Sequence, residues 1–197
     1  MHPKFDFRYA YKFDDLNHDQ IQDKLAVMSQ DLQKMKKLSM SFRRNFRGVP
    51  FTPLMTKEHK LQVERKVVEV VGELYGSYSP LSQLTEKQKN LLFKNNVDIE
   101  RNKVHDAAGI NDDYPAGRGV FFEEKDKFVI LVNFEDHLDI RLLDKQLLAN
   151  LKQSKRLLNA FDRLGFATDG YLGYLTTSPA RLGTGLTLRC SYRGGDR

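Results

Sequence analysis

Gly119-Val120-Phe121-Phe122, the polar run Glu123 to Lys127, and Phe128-Val129-Ile130-Leu131-Val132 make up the stretch that decides the fold. Two β-branched and aromatic runs around a short polar connection read as a β-hairpin. The second run is apolar at every position, which predicts a strand buried on both faces. Upstream, Thr85-Glu86-Lys87-Gln88 has capping-box spacing and opens a short helix through Phe93. Thr56 caps a longer helix to about Leu74, with Leu61, Val67, Val68 and Val71 available for burial. Ser39 to Pro53 reads as irregular and basic, because Gly48, Pro50 and Pro53 break a helix. Asn17 to Leu38 places Ile21, Leu25, Met28, Leu32, Met35 and Leu38 on one helical stripe. Downstream, a helix is expected from about Leu142 to Phe161, then strands at Tyr171 to Thr177 and Leu186 to Tyr192. Helices and strands mix throughout, so the class is α+β.

The chain has 197 residues, 40% hydrophobic and 29% charged, which suits one globular domain, or one plus a small appendage, and argues against disorder. Its 32 Lys and Arg against 26 Asp and Glu give a net charge of +6. That excess suits an acidic neighbour, whether RNA, an anionic membrane surface or an acidic protein, and selects none of them. No nucleic-acid motif accompanies it. Cys190 is the single cysteine, which excludes an internal disulfide framework and a thiolate-built zinc site; a small buried side chain is expected there. No metal site is expected. No run approaches the roughly 18 apolar residues of a membrane span. The first residues lack the pattern of a secretory signal or organellar presequence, so an intracellular protein is expected.

Three segments, in order, resemble the phosphagen (guanidino) kinases, which include arginine and creatine kinase. Gly117-Arg118-Gly119-Val120 leads through the hairpin to Asn133-Phe134-Glu135-Asp136-His137-Leu138, similar to the family's Asn-Glu-Glu-Asp-His-Leu-Arg. Gly173-Tyr174-Leu175-Thr176-Thr177-Ser178-Pro179, continuing through Leu182-Gly183-Thr184-Gly185-Leu186, resembles Gly-Tyr-Leu-Thr-x-Cys-Pro-x-Asn-Leu-Gly-Thr-Gly-Leu-Arg. A weaker third segment runs from Arg44 through Gly48 to Pro53, with Tyr78, Pro80 and Leu81 beyond. The resemblance implies an antiparallel sheet flanked by helices, a partial catalytic domain over 39–192, an N-terminal extension and helix at 1–38, and a tail at 193–197. It also implies phosphoryl transfer from magnesium-ATP to a guanidinium nitrogen. That chemistry needs cations around the phosphates and a carboxylate to orient and deprotonate the guanidinium.

The departures from the family pattern point away from turnover. The phosphate-holding Arg-x-Arg pair falls on Ser39 and Ser41, and a third phosphate arginine falls on Thr187. A hydroxyl cannot replace a charged bidentate fork. Two histidines beside the nucleotide correspond to Phe122 and Ser191. On the substrate side Phe134 replaces a glutamate, Asp139 an arginine and Ser178 a cysteine. Glu135, at the catalytic base position, survives with Asp136 and His137; local turn and sheet hydrogen bonds would by themselves account for keeping the three. The family continues for roughly another hundred residues, a domain-scale piece carrying further ligands.

The expectation is therefore a pseudoenzyme acting as a structural subunit of a larger assembly, with no cofactor. Arg43, Arg44 and Arg47, with Lys152, Lys155 and Arg156, are candidate contacts for acidic protein such as tubulin, or for RNA. One alternative is a divergent kinase, completed by a partner chain and using magnesium-ATP. Another is a basic nucleic-acid-associated subunit. Cilium or flagellum axoneme and mitochondrion are both open as locations.

Overall fold

A computed structural model describes residues 35–75, 78–123, 127–143 and 147–192. Six strands form one antiparallel sheet: β1 (Met35–Arg44), β2 (Tyr78–Pro80), β3 (Gly119–Glu123), β4 (Phe128–Val132), β5 (Leu138–Leu142) and, after a two-stranded ribbon, β8 (Leu186–Tyr192). Their order is β2-β3-β4-β5-β1-β8. The ribbon is β6 (Thr168–Asp169) with β7 (Gly173–Tyr174). The helices are α1 (Lys57–Tyr75), α2 (Glu86–Lys94), α3 (Lys103–Ala107) and α4 (Leu147–Asp162).

The expected hairpin is β3 and β4, paired from Gly119 opposite Val132 to Glu123 opposite Phe128. Every residue of β4 is buried, because the sheet carries a core on each face. On one face Phe128, Ile130 and Val132 pack with Val63, Val67 and Val71 of α1 and Leu157 and Phe161 of α4. On the other, Val129 and Leu131 pack with Val120, Leu81, Leu84, Leu92 and Val97. Burying each such side chain contributes about 2 kcal/mol, and this two-sided cover holds the central strands rigid.

α2 opens on the expected capping box: the Thr85 hydroxyl accepts from Gln88 N, and the Gln88 side chain accepts from Thr85 N. At the start of α1, His59 N donates to the Thr56 hydroxyl. Within α1, Val67 and Val71 are buried as expected, whereas Leu61 is exposed.

Four expectations are corrected. Met35 to Leu38 belong to β1 rather than to the end of a helix, and the strand runs through position 38 to Arg44; residues 17–34 of the expected helix lie outside the described residues. Ser39 to Arg44 is sheet, not irregular chain. Leu142 ends β5 instead of starting α4. Of the strand expected at Tyr171 to Thr177, only Gly173 and Tyr174 pair with Thr168 and Asp169.

Candidate functional site

The turn from β4 to β5 carries the acidic motif, and the chain folds it by hydrogen bonds rather than by apolar burial. Asn133 adopts φ 56°, and both donors of its side-chain amide hold the reversal: Nδ2 donates to Lys60 O at 2.8 Å and Gly117 O at 2.6 Å, while Oδ1 is buried without a hydrogen-bond partner. Asp136 Oδ1 accepts from Asn45 Nδ2 and from Thr177 N, both at 2.7 Å. His137 Nδ1 accepts from Phe46 N at 2.9 Å, so Nε2 carries the proton and donates to Pro50 O at 2.9 Å. Burial pushes the His137 pKa down to about 4, only partly opposed by Pro50, so the ring is neutral. Asp136 and His137 therefore tie together the segment after β1, the turn and the loop after β7; these are structural roles.

Glu135 is different. Its carboxylate accepts from Nη1 of Arg43, and Arg181 Nη1 approaches the same oxygen at 3.6 Å. Arg43 lies in β1 directly opposite Asp139 of β5. Its Nη2 is 3.3 Å from Asp139 Oδ2, and its Nη1 is 3.6 Å from Asp136 Oδ2. Burial works against this charge, yet Asp139, Glu135 and Asp136 outweigh it and raise the Arg43 pKa above its ordinary value. Asp139 Oδ2 also accepts from Arg141 Nε and Nη2 at 3.0 and 2.8 Å.

Arg44 points elsewhere. Its guanidinium stacks 3.6 Å from the Tyr174 ring centroid and donates to Thr184 O at 2.8 Å and to Arg43 O at 2.7 Å. Burial lowers its pKa to about 10, against the pull of Tyr174. Gly185 makes this approach possible: it sits at φ +60° and a Cβ there would lie 2.6 Å from Arg43 O. Arg43 and Arg44 are 7% and 4% exposed, which corrects their expected role as surface contacts. Arg47, Lys152, Lys155 and Arg156 are exposed.

Beside this cluster opens a small, solvent-open cleft of about 40 Å³. Ser39 and Ser41 of β1 line it with Thr187 and Arg189 of β8, which stand opposite them in register. Arg43, Arg141 and Arg181 complete a wall with four guanidinium groups, so the expected cradle without positive charge is corrected: cations remain, at other positions. Arg189 was accessible to sequence reasoning, since it shares a strand face with Thr187 at period two. Arg141 shares a face with Asp139 in the same way, whereas Arg181 carried no such signal.

Phe122 lines a separate depression with Leu84, Gln88, Leu92 and Val120, and Phe134 packs into that same core, so the structure does not bring either to the arginine-lined cleft. Ser178 caps a tight turn, its carbonyl accepting from Thr176 Oγ1 and Arg181 N. Ser191 pairs with Lys37 in the sheet, and its side chain, like that of Cys190, lies outside the described residues. Among the described residues no group of three His, Cys, Asp or Glu is arranged to hold a metal ion. No described helix is long and apolar enough to cross a membrane.

The family model for ATP:guanido phosphotransferase, C-terminal catalytic domain, matches residues 59–191. The chain belongs to the ATP:guanido phosphotransferase family. It is 33% identical to an arginine kinase from Anthopleura japonica over 193 residues, 92% of this chain and 27% of that protein. It is 38% identical to Arginine kinase Oct f 2 of Amphioctopus fangsiao over 151 residues, 72% of this chain and 42% of the relative. Lombricine kinase superposes with a TM-score of 0.71 at 26% identity, covering 79% of this chain and 47% of that one. The chain thus spans less than half the length of these relatives. The family's α+β architecture, an antiparallel sheet flanked by helices, is the one found here.

Proposed function

We propose that this chain is a catalytically retired guanidino-kinase domain that works as a structural, protein-binding subunit of a larger assembly. The observation that carries the reading is the wall of the cleft. Ser39, Ser41 and Thr187 line it side by side, at the positions that the family resemblance gives to phosphate-holding arginines. Each lost charge contact to a transferring phosphoryl group typically costs about 3 kcal/mol of transition-state stabilisation, roughly hundreds-fold in rate. Three of the four arginines of the wall are engaged: Arg43 and Arg141 face Asp139, and Arg181 faces Glu135. In this reading no cofactor is used. The partners are other protein subunits, with acidic surfaces such as tubulin suited to the net charge of +6, in an axonemal or mitochondrial assembly.

Arg181 and Arg189 in the cleft favour one second reading: a divergent phosphotransferase whose missing ligands come from a partner chain. There Ser39, Ser41 and the two arginines would hold magnesium-ATP, and Glu135 would serve as base. Calorimetry of the purified chain with millimolar magnesium-ATP separates the two. No binding heat is expected, and guanidine-dependent turnover, alone or with its partner, would overturn the retired reading. Cross-linking in native extracts should recover protein neighbours; steeply salt-dependent binding of generic RNA instead would favour a nucleic-acid-associated subunit.

A further inference from the structure

The guanidinium of Arg43 reaches all three carboxylates of the acidic cluster with its two terminal nitrogens, while its Nε is buried without a hydrogen-bond partner. Nη1 donates to Glu135 while Nη2 faces Asp139, so two different nitrogens of one planar fork reach two different carboxylates. An ammonium is a point charge and cannot span both. The three carboxylates are sheltered, with side chains 17%, 0% and 3% exposed for Glu135, Asp136 and Asp139. Asp136 Oδ2 and Asp139 Oδ1 are buried without a hydrogen-bond partner, so the cluster has acceptors left over for a guanidinium held at a slightly different angle. Arg43 also lines the open cleft. Arg43 is thus the member of the cluster that faces this cleft; Glu135, Asp136 and Asp139 are not among its lining residues.

We propose that Arg43 is a built-in guanidinium occupant, which fills the carboxylate cluster from within the chain and excludes free guanidino compounds from it. The inference deepens the retired-site reading and rests on it. Removing the side chain leaves a sheltered acidic hole of guanidinium shape, and a small guanidinium ligand should refill it.

The test is titration of Arg43→Ala with methylguanidinium at millimolar concentration, beside wild type and beside methylammonium. The variant should bind methylguanidinium saturably, about tenfold or more tightly than wild type, and should discriminate against methylammonium. Equal weak binding by both proteins, or no preference for the guanidinium, overturns the proposal. Should Arg43→Ala fail to fold, wild type still decides. The Arg43 Nε–H and Nη–H protons should exchange slowly by NMR and faster in Glu135→Gln, whereas exchange as fast as that of Arg47 overturns the proposal. Magnesium-ATP binding by a wild type with protected Arg43 protons would sink the retired reading alone. Rapidly exchanging Arg43 protons without ATP binding would sink the occupant alone.

Discussion

The acidic turn and the cleft wall lie on adjacent strands and share Arg43, yet they hold charge in opposite ways. In the turn, Glu135, Asp136 and Asp139 are matched against Arg43 and Arg141 in fixed register, with Asn45 and Thr177 taking up the other Asp136 oxygen. Along the wall, Ser39, Ser41 and Thr187 present neutral hydroxyls and Arg189 is exposed. Buried charge is costly unless its partners are present, so the turn cannot lose one member alone. Half-exposed hydroxyls impose no such demand. Retention of a motif and retention of its chemistry are therefore separate matters: Asp136 and His137 are fixed by what they hold together.

Breaking the turn should have the largest effect. Arg43→Met leaves three sheltered carboxylates short of a counter-charge and should cost about 3–5 kcal/mol in urea unfolding. A loss below about 1 kcal/mol would show that the cluster is solvated and loosely held.

Acid should come next. His137 is neutral when folded, with a pKa of about 4 against 6.5 for the free side chain. The unfolded chain therefore takes up a proton between these values and the folded one does not, so this group's stability contribution is full above about pH 6.5 and falls as pH drops toward 4. The difference is on the order of 3 kcal/mol. Stability measured against pH in wild type and in His137→Asn should show this slope only in wild type; parallel curves would refute the assignment.

Sharpening the wall is a smaller change. Ser39→Arg with Ser41→Arg should raise affinity for inorganic triphosphate by about tenfold at low salt. Unfolding free energy should stay within about 0.5 kcal/mol of wild type. Unchanged affinity would mean that the cleft geometry no longer admits an anion. Smallest of all, Arg47→Ala at an exposed position should shift stability by less than about 0.5 kcal/mol, and a larger loss in a thermal melt would reveal an unrecognised contact.

Local patterns announced much of this architecture. The capping box at Thr85, the valines of α1 and the hairpin of β3 and β4 follow from spacing and side-chain shape alone. β5 was legible too, since Leu138, Ile140 and Leu142 alternate with Asp139 and Arg141; the acidic motif before it and the helix after it hid that period. β1 was harder. Arg43 and Arg44 are adjacent and both buried, so no polar-apolar alternation survives there, and three arginines close to a Gly and two Pro look like a surface loop.

The sequence by itself determined the family and the α+β class, and it carries Ser39, Ser41 and Thr187 where the family resemblance implies phosphate-holding arginines. Those are statements about residue type and order, which need no coordinates. Only tertiary structure decided that Arg43 and Arg44 are interior, and that one closes the acidic turn while the other stacks on Tyr174. It also decided that Arg141, Arg181 and Arg189 return positive charge to the cleft. A charged side chain is buried only when counter-charges or hydrogen-bond acceptors converge on it, and for Arg43 strand pairing sets that convergence: it meets Asp139 because β1 and β5 run antiparallel in this register.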